Sequence, residues 1–538
     1  MNTKLSLIIV ISFNLIASNC YTVKPGPLVI ATEGEVWPKP YKRIYSDSFH
    51  LINPSDFSFN IVSESCNILT GAISRYKNII ANQTFPHTRK QAKNEEQISS
   101  WKKSNFVGYL ESLDVILMEP CNDDEIPTIS MLEQYEIKIA ENASVLAATS
   151  VWGILRGLET FSQLLYPAEG HALILNCTFI SDFPRYSHRG VLIDTSRHFI
   201  PVQKLLKILD ALAYNKLNVF HWHITDDQSF PYQSRDFPSL SEKGSYLPTH
   251  VYSQSDVAML IKYAAARGIR VVAEFDTPGH TRCWGNAFPQ LLTECYSNGV
   301  PTGEYGPMDP TKEFTYKFMK QFLSEVVDVF YDRALHLGGD EVDYDCWATN
   351  PDIKHFMEAN NISSYKKLEG YYIKKLIDIS EKLKMNAIVW EEVFTNVADI
   401  PENTIVHVWK EGWRNTIKEV TRRGFNTLLS SCWYLDHLYT GGDWIKFYNC
   451  EPTDFKGTEK QKKLVMGGEA CMWAEVVNEY NLESRIWPRA SATAEKLWSE
   501  EDADEIDSVK RRLEEHTCRM NKRGVQAQPP NGAGFCEM

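Results

Sequence analysis

From residue 189 to residue 467, short apolar runs alternate with amphipathic stretches, and this alternation constrains the fold more than any other feature of the 538-residue chain. The apolar runs cover residues 190–194, 218–224, 270–275, 334–337, 387–390, 405–409, 426–430 and 464–467, eight in all. They have strand length and little polar alternation, which marks strands buried on both faces. Between them lie helical patterns at 205–214, 257–266 with Gly268 as a stop, 314–330 and 365–383. Eight strand-helix units over about 250 to 400 residues predict a (β/α)8 barrel, in which catalytic groups stand at the C-terminal ends of the strands. The alternative is an open doubly wound sheet, but no Gly-x-Gly-x-x-Gly or phosphate loop supports it.

The chain ahead of residue 187 is organised differently. Apolar strands at 28–31 and 114–118 mix with polar loops, including the stretch 89–96, and lead to a strand at 135–140 and an amphipathic helix at 149–165. In that helix Val151, Ile154, Leu155, Leu158 and Phe161 recur at helical spacing. The expected organisation is a signal peptide at 1–20, an α+β domain at 21–186 and the catalytic barrel with a C-terminal extension at 187–538. The signal rests on Lys4, an apolar stretch at 5–16 broken by Ser12 and Asn14, and small residues at Ala17 and Ser18. No later segment offers the ~20 apolar residues of a membrane span.

Entry into the secretory pathway agrees with sequons at Asn82, Asn142, Asn176 and Asn361, which are expected glycosylation sites. The twelve cysteines form no Cys-x-x-Cys or Cys/His cluster, so disulfides are expected rather than zinc. Cys66 with Cys121, Cys295 with Cys346, and Cys518 with Cys536 are the favoured pairs, although connectivity stays open at this level. A formal charge of -13 without a basic stripe argues against a nucleic-acid partner.

Chemistry concentrates at the predicted strand ends. They read Asp194-Thr-Ser-Arg197-His198; His221-Trp-His223-Ile-Thr-Asp226-Asp227; Glu274-Phe-Asp276-Thr-Pro-Gly-His280; Asp340-Glu341; Trp390-Glu391-Glu392; Trp409-Lys-Glu411; Trp433-Tyr434-Leu-Asp436; and Glu469-Ala-Cys-Met-Trp473-Ala-Glu475. All eight carry a carboxylate and five carry tryptophan. Carboxylates and arginine bind sugar hydroxyls while indole faces stack on a pyranose, so the repetition describes a carbohydrate pocket, where any single Trp would read as core packing. The centre is His336-Leu-Gly-Gly-Asp340-Glu341. Neighbouring strand residues face opposite ways, and the two glycines let the backbone twist enough to bring both acids to one site.

Arg189-Gly-Val-Leu-Ile-Asp-Thr-Ser-Arg-His, Asn215-Lys-Leu-Asn-Val-Phe-His-Trp-His, Glu274-Phe-Asp-Thr-Pro-Gly-His, His336-Leu-Gly-Gly-Asp-Glu and Gly467-Gly-Glu-Ala-Cys-Met-Trp resemble the lysosomal β-N-acetylhexosaminidases of glycoside hydrolase family 20. The likeness extends to Val151-Trp-Gly-Ile-Leu-Arg-Gly-Leu-Glu-Thr-Phe and covers nearly the whole mature chain. It implies an α/β fold, with an N-terminal α+β domain packed on a catalytic (β/α)8 barrel, and the same three disulfides. The activity implied is exo-cleavage of terminal β-linked GlcNAc or GalNAc, with the substrate's own 2-acetamido oxygen as nucleophile in place of a second carboxylate.

The resemblance assigns Glu341 as general acid/base, Asp340 as the group that orients the acetamido N–H, and Tyr434 as its partner on the carbonyl side. His280 with Asp226 would keep Glu341 oriented. Arg197, Asp226 and Glu475 would bind the 3-, 4- and 6-hydroxyls, and Trp390, Trp409 and Trp473 would wall the pocket. Arg197 has a plainer alternative as an ion-pair partner of Asp194. No metal or cofactor is called for. A homodimer or a heterodimer with a paralogous chain is implied, with residence in the lysosome or secretion. After the site tyrosine this chain reads Tyr434-Leu-Asp436-His437, like the β-type chains, where the α-type chains carry the Asn-Arg pair that accommodates anionic sugars. Neutral substrates are therefore expected.

Two alternatives are weighed against this reading. A silent carbohydrate-binding or adhesion protein on the same scaffold would have lost Asp340, Glu341 or Tyr434, and an endo-chitinase would carry Asp-x-x-Asp-x-Asp-x-Glu. All three residues are present and that motif is absent.

Overall fold

The computed structural model describes residues 28–29, 34–83, 105–167, 172–396, 400–437, 442–501, 505–532 and 534–536. The expected signal peptide, the stretch 89–96 and part of the strand at 28–31 lie outside these residues.

Eight parallel strands close into a barrel in chain order: His188–Asp194, Val219–Thr225, Arg270–Phe275, Ala334–His336, Asn386–Trp390, Ile405–Val408, Asn426–Leu429 and Val465–Met472. The last strand pairs with the first, His188 beside Gly467 through Ile193 beside Met472. Helices such as Val202–Tyr214, Gln254–Ala265, Glu313–Val329 and Tyr365–Lys382 surround it. The largest apolar core fills the layer between strands and helices.

Side chains alternate along each strand, so every second residue faces the barrel axis. At the N-terminal end of the strands this inner layer is apolar: Val219, Val272, Ala334, Ile388, Ile405 and Leu428 form a plug. One step towards the C-terminal end, the same strands contribute His221, Glu274, His336, Trp390 and His407, all buried. The barrel is therefore closed below and polar above, and any cleft must open at the C-terminal end.

The last strand runs to Met472, beyond the Gly467 at which the sequence pattern ends it. A Cβ on Gly467 would lie 1.9 Å from the His188 carbonyl oxygen, and one on Gly468 2.0 Å from that of Leu429. These glycines let the closing strand lie close against both neighbours; they are not a turn.

Ahead of the barrel, an eight-stranded mixed sheet is covered by the helices Asn67–Ala81 and Val151–Gln163. Every residue of the second helix is buried, and its Gly153 and Gly157 admit the Gln134 carbonyl and the Leu146 side chain. Arg156 of this helix and Arg189 of the first barrel strand meet on Glu133, at 2.8 and 2.6 Å, in a buried triad that ties the sheet unit to the barrel. Removing one member of such a group leaves an uncompensated buried charge.

Three disulfides join Cys66 to Cys121, Cys295 to Cys346 and Cys518 to Cys536. A fourth, Cys432 to Cys450, was not anticipated from the sequence. Asn82, Asn142 and Asn361 are exposed. Asn176 is not: it is 8 % exposed, its amide nitrogen donates to the Ser46 carbonyl at 3.1 Å and its oxygen accepts from Tyr166. Among the described residues no helix is long and apolar enough to cross a membrane.

Candidate active site

The short strand Ala334–His336 runs through Leu337 into Gly338 and Gly339, whose φ values are +71° and +95°. The Gly339 N–H donates to Asp276 Oδ1 at 2.9 Å, and a Cβ on Gly338 would fall 1.7 Å from that same oxygen. Glu341 itself takes a φ of +46°, a conformation that costs a non-glycine residue roughly 1–2 kcal/mol. The turn separates the two adjacent acids. Asp340 points inwards with its side chain 10 % exposed, while the Glu341 side chain is 60 % exposed at the mouth.

Four carboxylates surround one imidazole, three of them at the same ring nitrogen. His280 Nε2 lies 3.8 Å from Glu341, 3.9 Å from Asp340 and 3.9 Å from Asp276, while its Nδ1 donates to Asp226 Oδ1 at 3.1 Å. Burial works against a charge on His280, but the Asp226 hydrogen bond and the Asp340 charge outweigh it and raise the ring to about 10, so it is an imidazolium. Burial, with the charges of Asp340 and Glu274, pushes the Asp276 carboxyl well above the usual range. This favours the neutral form of Asp276 beside Asp340. Asp340 Oδ1 is buried and has no hydrogen-bond partner among the described residues, which leaves one acceptor for an incoming N–H.

Arg197 forms the opposite side of the cleft. Its guanidinium reaches Asp194 at 3.0 Å, Asp226 at 2.7 Å and Glu475 at 3.9 Å, and it lies over the Trp473 ring. The ion pair with Asp194 thus exists, and the same side chain also faces the cleft. Asp226 is buried, and its oxygens accept from His223, His280, Arg197 and the Asp227 N–H. Its evident work is to hold Arg197 and His280, and a bond from it to a sugar hydroxyl would share these oxygens. The Glu475 side chain is 56 % exposed.

Trp409, Tyr434 and Trp473 are partly buried around a base of Leu192, Trp390 and Cys471. Trp390, expected in the wall, is 1 % exposed and lies beneath the other rings, so it is the floor. Trp409 stacks on Tyr434 at 6.1 Å and anchors its indole N–H on Glu392 at 3.0 Å. Burial, with Cys471 nearby, raises the Tyr434 hydroxyl well above its ordinary range, so it keeps its proton and can donate. Asp436 is half-buried, and burial raises its carboxyl, with the His437 ring 4.0 Å away acting against the shift.

Below the floor, carboxylates and imidazoles alternate, and the sequence reading had not singled them out as site residues. His-x-His at 221–223 and Glu-x-Asp at 274–276 were the available signal, since an i, i+2 pair on a strand faces one way. Among the described residues three groups could bring donor atoms to a cation: two below the floor, His221, His407 and Glu469, and His221, Glu274 and His336; and one at the mouth, Asp276, His280 and Asp340. His221 already bonds Glu469 at 2.6 Å, so the network is charge-compensated from within.

A family model described as "Glycosyl hydrolase family 20, catalytic domain" matches residues 186–501, and another described as "beta-acetyl hexosaminidase like" matches residues 36–164. The chain is 45% identical over 509 residues to the mouse (Mus musculus) beta-hexosaminidase subunit beta, covering 93% of this chain and 92% of that one. It is 44% identical over 517 residues to the bovine (Bos taurus) beta-hexosaminidase subunit alpha, covering 94% and 95%. Among solved structures, the Flavobacterium johnsoniae chitobiase superposes with a TM-score of 0.77 at 28% identity, over 91% of this chain and 73% of that one.

Proposed function

The chain belongs to glycosyl hydrolase family 20 and is an exo-acting β-N-acetylhexosaminidase, and we propose that Asp340, Glu341 and Tyr434 carry its reaction at the barrel mouth. A terminal β-linked GlcNAc or GalNAc enters with its 2-acetamido group over Trp390. Asp340 Oδ1 accepts the acetamido N–H and Tyr434 donates to the carbonyl oxygen, which fixes that oxygen below the anomeric carbon. An intramolecular attack of this kind has a high effective molarity.

Glu341 gives its proton to the glycosidic oxygen as the C–O bond breaks, and the amide oxygen closes on the anomeric carbon to form an oxazolinium ion. The Asp340 charge stabilises that cation. Water then enters from the side the leaving group vacated, gives its proton to Glu341, and opens the ring with net retention. Arg197, held by Asp194 and Asp226, and Glu475 bind the sugar hydroxyls, and Trp409 and Trp473 line the sides.

The observation that carries this reading is the unpartnered, buried Asp340 oxygen beside a mouth acid that stands free to reach a leaving group. The experiment is hydrolysis of aryl β-N-acetylglucosaminide against the aryl β-glucoside, in the wild type and in Asp340→Asn. Only the acetamido substrate turns over, and Asp340→Asn lowers kcat by about 10²-fold or more, as expected for loss of a preorganised electrostatic partner. Equal turnover of the β-glucoside refutes the scheme.

Four disulfides fit an oxidising compartment of the secretory pathway, and we place the enzyme in the lysosome. The matched relatives are named as subunits. We propose that this chain likewise dimerises, with its own copy or with a paralogous chain.

A further inference from the structure

The reaction above uses the barrel mouth and leaves the buried network beneath it without a role. At its centre is Glu274, fully buried on the strand Arg270–Phe275. Glu274 Oε2 accepts from His223 Nδ1 at 2.6 Å and lies 3.1 Å from His221 Nε2. Its Oε1 accepts from the Trp390 indole N–H at 2.8 Å and lies 2.9 Å from His336 Nδ1. His221 continues to Glu469 at 2.6 Å, and Glu469 to His188 at 2.6 Å. Asp276, two residues on along the same strand, also lies in the field of Glu274.

The link towards the mouth is His223. Its Nδ1 bonds Glu274 and its Nε2 bonds Asp226 at 2.9 Å. A ring nitrogen can bond a carboxylate only by donating a proton, so a ring held between two carboxylates is an imidazolium. Asp226 in turn fixes His280, whose other nitrogen faces Glu341. An unbroken run of contacts therefore leads from Glu274 through His223, Asp226 and His280 to the acid/base. The other oxygen of Glu274 holds the floor indole, which is wedged between the His407 ring at 4.3 Å and the His336 ring at 4.6 Å.

We propose that Glu274 is a positioning residue for this reaction, one buried carboxylate that sets the His223–Asp226–His280 relay behind Glu341 and the Trp390 floor beneath the acetamido group in fixed relation. Two parts of the site that must meet within a fraction of an ångström thereby share one support, and all of it sits on rigid strands. The electrostatics agree. Burial would discharge His223, but the Glu274 charge and the Asp226 hydrogen bond raise it to about 9. Burial would equally protonate Glu274, and the rings of His336, His223 and His221 hold it well below the usual range instead.

This inference rests on the functional reading above, so the wild type is first shown to cleave aryl β-N-acetylglucosaminide and not the β-glucoside; failure there strikes that reading and not this one. The test is Glu274→Gln, which keeps the size, keeps an acceptor for Trp390 and removes the charge. Its amide can donate to a neutral His223. The expected result is a KM within about twofold of wild type. For chitobiose, which needs a proton on its leaving group, kcat falls about tenfold or more, in the range for loss of a hydrogen-bonded partner behind a site. The activated aryl substrate falls less, and the alkaline limb of its kcat/KM profile moves.

In a His280→Asn background the same substitution adds little, because the relay is already cut. An unchanged ratio of the two substrates with an unmoved alkaline limb overturns the proposal, as does a full multiplicative effect in the double variant. Should Glu274→Gln not fold, His223→Asn cuts the same link while leaving Glu274 on Trp390. It is expected to show the same substrate split, and an unchanged ratio there refutes the relay.

Discussion

The turn that presents the acids can be tested at Gly338. Replacing it with alanine imposes two separable costs. One is the backbone: φ is +71°, and the left-handed region costs an L-residue roughly 1–2 kcal/mol. The other is steric. The new methyl would lie 1.7 Å from Asp276 Oδ1, 2.2 Å from its Cγ and 2.6 Å from its Cα. The last of these is backbone, so a change of Asp276 rotamer cannot relieve the clash, and overpacking of this kind adds about 1–3 kcal/mol.

Gly424 is the internal control. Its φ is +91°, yet nothing lies within 4 Å of where a Cβ would stand, so Gly424→Ala carries the backbone cost alone. Measured side by side by thermal unfolding, Gly338→Ala should melt below Gly424→Ala by about 2–6 °C, taking roughly 2 °C per kcal/mol for a large domain. It should also lose kcat at temperatures where it remains folded, because Asp276 must move and Asp276 supports both the Gly339 N–H and Asp340. Gly424→Ala should keep full kcat. If the two variants melt within a degree of each other and both retain kcat, the close packing of Gly338 under Asp276 is wrong.

Glu341→Gln should slow chitobiose far more than an activated aryl glycoside, since only the former needs a proton on departure; equal losses on both, with the glycosylation step limiting each, would remove Glu341 from the acid role. Wild type should discriminate against 6-sulfated aryl GlcNAc, and Asp436→Asn should relieve this by about fivefold or more, from roughly 1 kcal/mol between unit charges at 4 Å in water. Burial holds the Asp436 carboxyl above its ordinary range, so it is neutral over more of the acid range, and discrimination should shrink as pH falls. Comparable kcat/KM for neutral and sulfated substrates at neutral pH would show that Asp436 does not face the 6-position.

Barrel strands and mouth residues were legible in the sequence for one physical reason. A parallel strand covered on both faces must be apolar along its length, so the polar residues that break each run mark its C-terminal end, and that end is where the site is built. Asp340, Glu341, Arg197 and Tyr434 could be found by reading only those positions. Gly467 and Gly468 defeated the same rule, because glycine also serves close strand approach and periodicity cannot tell that use from a turn. Cys432 and Cys450 lie 18 residues apart in a segment with no strong periodicity, so nothing local marked them as partners. Glu274 and His223 stood in the strand-end motifs, but no role followed from their spacing: only the contacts across strands show that these charges are matched to one another.

The same matching explains how adjacent acids can act oppositely around a reaction that creates a cation. Asp276, Asp340 and Glu341 all face His280, and three carboxylates around one imidazolium would repel strongly if each were ionised. Burial lessens one of these charges by favouring the neutral form of Asp276. In the reacting form Glu341 carries the proton it will donate, so Asp340 and His280 cancel, while Asp226 on the other ring nitrogen is matched by Arg197 and His223. When the glycosidic bond breaks, that proton leaves with the alcohol, Glu341 becomes anionic, and the oxazolinium supplies the matching positive charge. The net charge is the same on both sides of the step. Separation of charge within the site is thus never left uncompensated, which is what a buried, preorganised electrostatic environment requires to favour the transition state over the bound substrate. The left-handed turn at Glu341 is what permits it: adjacent strand residues diverge, and the turn keeps both acids against His280 although one is buried and the other stands at the mouth.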